Sequence, residues 1–344
     1  MKKDTTINLR KDQHIDINLS KDVKSHRTTG LERLIFIHEA LPEINLCDVD
    51  LSSTIFGKRI SAPILISSMT GGTDFSKIIN KRLAEIANFF NLAMGVGSQR
   101  IALENPDTTS SFTVTRKTAP NILLFANIGA IQLNNGFTLD HCKRAIEMLE
   151  ADGLILHLNP LQESLQEEGN TNFRFLSKKI ELICKRLPIP VIVKEIGWGI
   201  SKRTAKILCE SGVSAIDVAG AGGTSWSQVE MYRSKKEISK QLALTFTEWG
   251  ISTVDSIVNV KESAPGVMIF ASGGLQTGLD ITKCLALGAI LGGMAGKFLK
   301  ASSESTDSLA DLVRLTIEQI RVAMFCAGVS SGAMLTPSQL VKMD

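Results

Sequence analysis

A chain of 344 residues has room for one large domain or two ordinary ones, and 44% apolar residues are ample for a sizeable core. A net charge of +3 with both signs dispersed excludes a phosphate-tracking nucleic-acid surface; the densest basic spot, Lys235, Lys236 and Lys240, is broken by Glu230 and Glu237 and reads as a solvated face. The longest charge-free apolar stretch, near Cys284 to Gly296, is too short and glycine-rich to span a bilayer, so no membrane partner is expected.

The N-terminus opens Met1-Lys2-Lys3-Asp4 and stays polar through Asp12, without the pattern of a signal peptide. Cys47, Cys142, Cys184, Cys209, Cys284 and Cys326 are scattered without CxxC spacing and read as reduced thiols, with no zinc site among them. A cytoplasmic protein is the expectation. Residues 1–60 read as an N-terminal arm, with Leu31 to Ile37 helical. From residue 61 short β-type runs alternate with helical segments to the C-terminus.

The expected core strands are Pro63–Ser68, Leu92–Val96, Ile122–Ala126, Leu154–Leu158, Val191–Val193, Ala215–Ala219, Val267–Ala271 and Ala289–Gly292. Helical patterns fall between them at Ser76–Phe90, Leu139–Ala151, Asn172–Arg186, Ser201–Ser211 and Gly278–Leu287. Gly212 and Gly288 stand where helix C-caps should be. Such a run of βα units predicts an α/β (β/α)₈ TIM barrel over 61–344, with a doubly wound open sheet as the alternative. Polar loops after every strand favour the barrel, because an open sheet gathers its ligand contacts at one switch point. Residues 226–250 interrupt the sixth unit and read as a lid.

The densest chemistry follows the fourth strand, where His157-Leu158-Asn159-Pro160-Leu161-Gln162-Glu163 sets an imidazole, two amides and a carboxylate together. A polar strand-to-helix loop would look similar, but packing gives little reason for four such groups at the ligand-binding end of a parallel strand. Glycine loops close the late strands: Gly220-x-Gly222-Gly223-Thr224, Ser272-Gly273-Gly274 and Gly292-Gly293-Met294-Ala295-Gly296. Glycine lets main-chain amides approach an anion, and barrels often dock a phosphate between the last two strands. Thr70-Gly71-Gly72 leaves space for a flat ring that Asn127 and Lys194 could address. That pattern points to flavin mononucleotide, although it would also serve a sugar phosphate. Lys194 could equally be a strand-end lysine paired with Glu195 or Glu163.

Together these residues resemble type 2 isopentenyl-diphosphate isomerases, the flavin-dependent family, over nearly the whole chain. The resemblance is carried by Arg10-Lys11-x-x-His14, Thr29-Gly30-Leu31-Glu32 through Glu43, Met69-Thr70-Gly71-Gly72, Gly97-Ser98-Gln99-Arg100, Asn127-Ile128-Gly129, His157-x-Asn159-x-x-Gln162-Glu163, Val193-Lys194-Glu195-x-Gly197-x-Gly199 and Gly222-Gly223-Thr224-Ser225-Trp226. It implies interconversion of isopentenyl and dimethylallyl diphosphate with reduced FMN and Mg²⁺, NADPH or NADH serving only to reduce the flavin. It implies FMN contacts from Met69, Thr70, Gly71, Ser98, Asn127, Lys194, Thr224, Gly273, Gly274, Met294 and Ala295. The substrate site would be lined by Arg10, Lys11, Ser98, Arg100, His157, Asn159 and Gln162, with Glu163 the metal ligand and Gln162, Glu163 and His157 the catalytic set. The chain departs from many relatives at Ala219, where a serine often stands. A homo-oligomer, tetramer or octamer, is expected.

Two other enzyme classes lose ground on residue inventory. A 2-hydroxyacid oxidase needs a histidine base late in the barrel, and none of His14, His26, His38, His141 and His157 lies there. A nucleotide dehydrogenase of similar fold needs a nucleophilic cysteine after the sixth strand, and Gly220 to Trp226 contains none. A non-catalytic flavin or sugar-phosphate carrier would not require the Gln162-Glu163 pair.

Overall fold

Apolar runs flanked by amphipathic helices bury both faces of each strand, which is the condition for an all-parallel sheet. A computed structural model describes the backbone of residues 2–343 and the side chains of residues 10–343. Its strands β1 (Ile64–Ile66), β2 (Ala93–Gly95), β3 (Leu124–Gly129), β4 (Gly153–Leu158), β5 (Val191–Glu195), β6 (Ala215–Asp217), β7 (Met268–Ala271) and β8 (Leu291–Met294) close in chain order into a parallel barrel. The expected TIM barrel is the observed fold, and the open sheet is excluded by the pairing of β8 with β1.

Alternation along the strands divides the core in two. Leu65, Ala93, Phe125, Ile155, Ile192, Ala215, Phe270 and Leu291, one from each strand, point inward and fill the barrel interior. The alternate positions, such as Ile64, Ile66, Leu154, Leu156 and Val193, pack outward under the helices. A hairpin of Ser53–Ile55 and Lys58–Ile60 closes the N-terminal end. Its tip places Phe56 6.2 Å from Phe125 and 6.3 Å from Phe270, ring centre to ring centre.

Below the barrel Arg116 is nine-tenths buried and donates to the carbonyls of Leu149, Pro120, Ile122 and Glu150 at 2.8–3.1 Å, and to Asp152 Oδ2 at 3.0 Å. One guanidinium thus ties the helix Ser110–Thr118 to the entries of β3 and β4. Removing it takes the donor from the carbonyls of Leu149, Pro120 and Glu150, while Asp152 keeps Lys58 at 2.8 Å and the Leu124 N–H at 2.9 Å. Arg116→Met is therefore expected to lower stability by about 1–3 kcal/mol in urea unfolding, with little change in ligand affinity.

Element boundaries depart from expectation where long-range pairing decides them. Leu31 to Ile37 is a single 3₁₀ turn, Leu31–Arg33, followed by the strand Leu34–Phe36. That strand pairs antiparallel with Leu340–Lys342, and a partner over 300 residues away leaves no local periodicity to read. The sixth strand stops at Asp217, the eighth runs Leu291–Met294, and the helix expected from Asn172 starts at Leu176. Residues 226–250 hold two short helices, Trp226–Arg233 and Glu237–Leu244, before the helix Thr253–Ser263 completes the sixth unit. The arm begins with a helix, Lys2–Ser20, whose Ile15 and Ile17 are buried. No helix among the described residues is long and apolar enough to cross a membrane.

Candidate functional site

The C-terminal ends of the strands, the arm helix and the helix Trp226–Arg233 enclose a cavity of about 790 Å³. Of the residues expected to hold a cofactor, Met69, Thr70, Ser98, Asn127, Lys194, Thr224, Gly273, Gly274 and Ala295 line it. Arg10, Lys11, Arg100, His157, Asn159, Gln162 and Glu163 line it too. Gly71 and Met294 do not. A Cβ on Gly71 would stand 2.1 Å from the Phe112 ring, so this glycine makes room for packing, and Met294 ends β8 with its side chain in the core.

Three glycine loops meet on the β6–β8 side. A Cβ on Gly223 would lie 2.6 Å from Gly274 N, one on Gly274 2.5 Å from Gly222 O, and one on Gly273 2.1 Å from Gly220 O. These loops interlock backbone against backbone, and Gly273 and Gly274 have φ of 103° and 80°, which only glycine adopts without strain. Gly296, just beyond, opens the helix Gly296–Glu304, and a Cβ there would meet nothing within 4 Å. An exposed helix start among close-packed main chain suits a phosphate monoester. Ala219, between this cradle and β6, is a buried non-glycine residue at φ 35°, the left-handed conformation that costs an alanine roughly 1–3 kcal/mol.

On the β3–β4 side the polar groups form a chain. Gln99, fully buried, donates to Ala145 O at 2.9 Å and accepts the Asn127 N–H at 2.9 Å. Asn127 Nδ2 donates to Val96 O, so its Oδ1 is left to accept from His157 Nδ1 at 2.9 Å. His157 therefore carries its proton on Nδ1 and leaves Nε2 as an acceptor. Burial, then the charges of Lys194 and Lys11, lowers its pKa to about 4, so the ring is neutral at pH 7.

Asn159, Gln162 and Glu163 lie side by side as the strand turns into the helix Pro160–Leu165. Asn159 Nδ2 donates to Gln162 Oε1 at 3.1 Å and to Glu163 Oε1 at 2.9 Å. Glu163 Oε2 accepts from Gln166 Nε2 at 2.9 Å and from the Asn170 N–H. Three donors leave one of the carboxylate's roughly four acceptor positions free. Beside it Asn159 Oδ1 is buried with no hydrogen-bond partner. One free carboxylate position, an orphaned amide oxygen and room for phosphate oxygens match what Mg²⁺ takes from a protein. The described residues hold no cluster of three or more His, Cys, Asp or Glu for an all-protein metal cage.

The arm supplies the cations. Lys11 Nζ donates to Gly71 O at 2.5 Å and Ser98 O at 2.9 Å, bridging the loops after β1 and β2, while Arg10 pairs with Glu168 at 3.5 Å. Burial, then Arg10, lowers Lys11 from its ordinary 10.5 to about 7. Free Lys11 is thus mostly neutral at pH 8, and a dianion beside it would restore its charge. Binding of inorganic pyrophosphate at pH 8 is expected to take up close to one proton, an uptake that fades below pH 6 where Lys11 is already charged. Calorimetry in buffers of different ionisation enthalpy reads this; uptake unchanged in Lys11→Met would refute it.

Several residues at the site escaped sequence reasoning. Glu230, on the helix Trp226–Arg233, accepts from Gln162 Nε2 at 3.0 Å, shares a contact with His14 Nε2 at 3.2 Å and pairs with Arg233. Burial acts to raise its pKa, but His14, Arg233 and Gln162 outweigh it and hold the group below the usual carboxylate range. Arg233 in turn reaches Glu168 at 2.9 Å. In sequence Glu230 is one charge in a mixed-charge stretch, with no spacing that links it to Gln162. Lys194 makes neither of the carboxylate pairs considered for it. It donates to the main-chain oxygen of Glu195 at 2.8 Å and faces Asp217 at 3.5 Å. The Glu195 carboxylate instead accepts the N–H groups of Ile196, Gly197 and Trp198 at 2.6–2.7 Å.

Solved structures share this architecture at low identity. An active mutant of (S)-mandelate dehydrogenase superposes with a TM-score of 0.70 at 14% identity over 98% of both chains. A flavocytochrome b2 variant with sulfite bound does so at 0.70 and 18%, over 96% of this chain and 82% of that one. The FMN-dependent dehydrogenase family profile matches residues 130–342. An isopentenyl-diphosphate delta-isomerase from Nostoc sp. is 52% identical over 320 residues, 93% of this chain and 91% of the relative. One from Rickettsia prowazekii is 49% identical over 319 residues, 93% of each chain. At that identity over nearly the full length, on a flavoenzyme barrel, the chain belongs to the isopentenyl-diphosphate delta-isomerase family.

Proposed function

We propose that this chain interconverts isopentenyl and dimethylallyl diphosphate, using FMN held in reduced form by NADPH or NADH, and Mg²⁺. The observation that carries the reading is the division of one cavity into two halves. Interlocked glycine loops form one side, and the other joins Gln162, Glu163 and the arm cations. FMN would be held by Thr70, Ser98, Asn127, Lys194, Thr224 and Gly274, its phosphate at Gly296. Mg²⁺ would be held by Glu163 with Asn159 Oδ1.

Moving a double bond by one carbon needs a proton delivered at one carbon and removed at another, with developing positive charge tolerated between. Reduced FMN supplies a dissociable ring proton when bound, and Mg²⁺ supplies charge against the diphosphate. The residues do the rest. Arg10, Lys11 and Arg100 bind and orient the diphosphate. Neutral His157 offers Nε2 as an acceptor, and at pH 7 its lowered pKa leaves it without a second proton to donate. Gln162, fixed between Asn159 and Glu230, orients substrate on the same wall. Residues 1–60 act as an arm that completes this site, and 226–250 as a lid that brings Trp226 and Glu230 to it.

A redox role would fit the dehydrogenase name of the matching profile, but the late strands carry no histidine to take a proton from a hydroxy acid. The deciding assay supplies isopentenyl diphosphate with FMN, Mg²⁺ and NADPH, omitting each in turn. Turnover in D₂O should place deuterium at the allylic carbons without stoichiometric NADPH loss. NADPH consumed one for one with product would mean an oxidoreductase instead.

A further inference from the structure

Asp217, the last residue of β6, is fully buried, and its carboxylate lies behind the cavity wall and not in it. Its Oδ1 accepts the Ser272 hydroxyl at 2.6 Å and the Ala219 N–H at 3.3 Å. Its Oδ2 has no hydrogen-bond partner and faces the Lys194 ammonium at 3.5 Å. Lys194 does line the cavity. Taking both charges out of water costs as much as their attraction returns, so well-packed apolar residues would fill this space at no loss of stability. What an apolar pair could not supply is a field in the cavity.

We infer that Asp217 is a positioning residue that holds Lys194 and offsets its charge, and thereby sets the reduction potential of bound FMN. The inference rests on FMN occupying the cavity as proposed above. A reduced flavin carries more negative charge than an oxidised one, and a bare ammonium in a weakly screened wall favours that charge strongly. With Asp217 behind it, the cavity meets a dipole in place of a full positive charge. Other nearby groups leave that balance intact. His157 is neutral at pH 7, and the Glu195 carboxylate is turned into the amides of its own loop.

Asp217→Asn keeps the shape and the Oδ1 acceptor for Ser272 and Ala219 while deleting the charge. Reduced FMN should then bind at least tenfold more tightly relative to oxidised FMN, an upward shift of about 30 mV for the two-electron couple. The measurement is a reductive titration of the FMN-loaded protein against a reference dye, with FMN affinity recorded alongside. Should Asp217→Asn give no folded flavoprotein, Lys194→Met and Lys194→Met/Asp217→Leu carry the same test. The first should lower the potential, and the second should bring it back toward wild type. FMN bound with a potential unmoved or lowered in Asp217→Asn, or equal potentials in the second pair, overturns this inference alone. Wild-type protein that takes up no FMN overturns it together with the functional reading.

Discussion

Glu163→Gln is expected to lose about 100-fold or more of isomerase turnover while FMN affinity stays within a few-fold of wild type. Glu163 is 6% exposed, lines the cavity, and puts its carboxylate beside Asn159 as β4 turns into the helix Pro160–Leu165. Glutamine keeps one carbonyl oxygen for Asn159 but presents an amide where Gln166 and the Asn170 N–H now donate. Both the charge that would hold Mg²⁺ and an acceptor for the following loop are lost. Losing a metal's charge stabilisation at the diphosphate costs several kcal/mol, and each 1.36 kcal/mol is about tenfold in rate. A Mg²⁺ titration of the rate checks the assignment. Normal turnover with an unchanged Mg²⁺ requirement would place the metal elsewhere.

Deleting residues 1–13 is expected to leave a folded, yellow protein without measurable isomerase activity. The cut spares Ile15 and Ile17, the arm's buried anchors, and every barrel strand. It removes Arg10 and Lys11, the cations that the arm brings to the cavity. Two charge-assisted contacts to the diphosphate are together worth about 3–6 kcal/mol, or roughly 160- to 25,000-fold in kcat/KM. It also frees Gly71 O and Ser98 O, which Lys11 now bridges, so the loops after β1 and β2 should loosen. Flavin absorbance and circular dichroism separate this outcome from unfolding. Unchanged affinity for the diphosphate would make residues 1–13 a solvated tail.

Local pattern was enough for most of the barrel. Each βα unit states its own period, apolar for the strand and amphipathic for the helix, and closure follows from burying both strand faces. The cluster His157, Asn159, Gln162 and Glu163 was legible for the same reason, because its members are near neighbours in the chain. The glycine loops were legible as glycine, since the left-handed φ of Gly273 and Gly274 constrains residue type directly. Gly71 was legible only as glycine, and the packing reason for it, the Phe112 ring where a Cβ would stand, came from the fold.

Contacts between distant segments were beyond the reach of periodicity. The strand Leu34–Phe36 looked helical because its partner lies at Leu340–Lys342. Glu230 meets Gln162 from across the site, and Lys194 chose Asp217 over its sequence neighbour Glu195. In a β-strand adjacent side chains point to opposite faces, so Glu195 could not share the inward position of Lys194. Residue type and strand periodicity determined the architecture and which loops carry chemistry. Which charges face one another was decided by barrel closure and by the docking of the arm and of residues 226–250, because electrostatic pairing depends on distance in space and not along the chain.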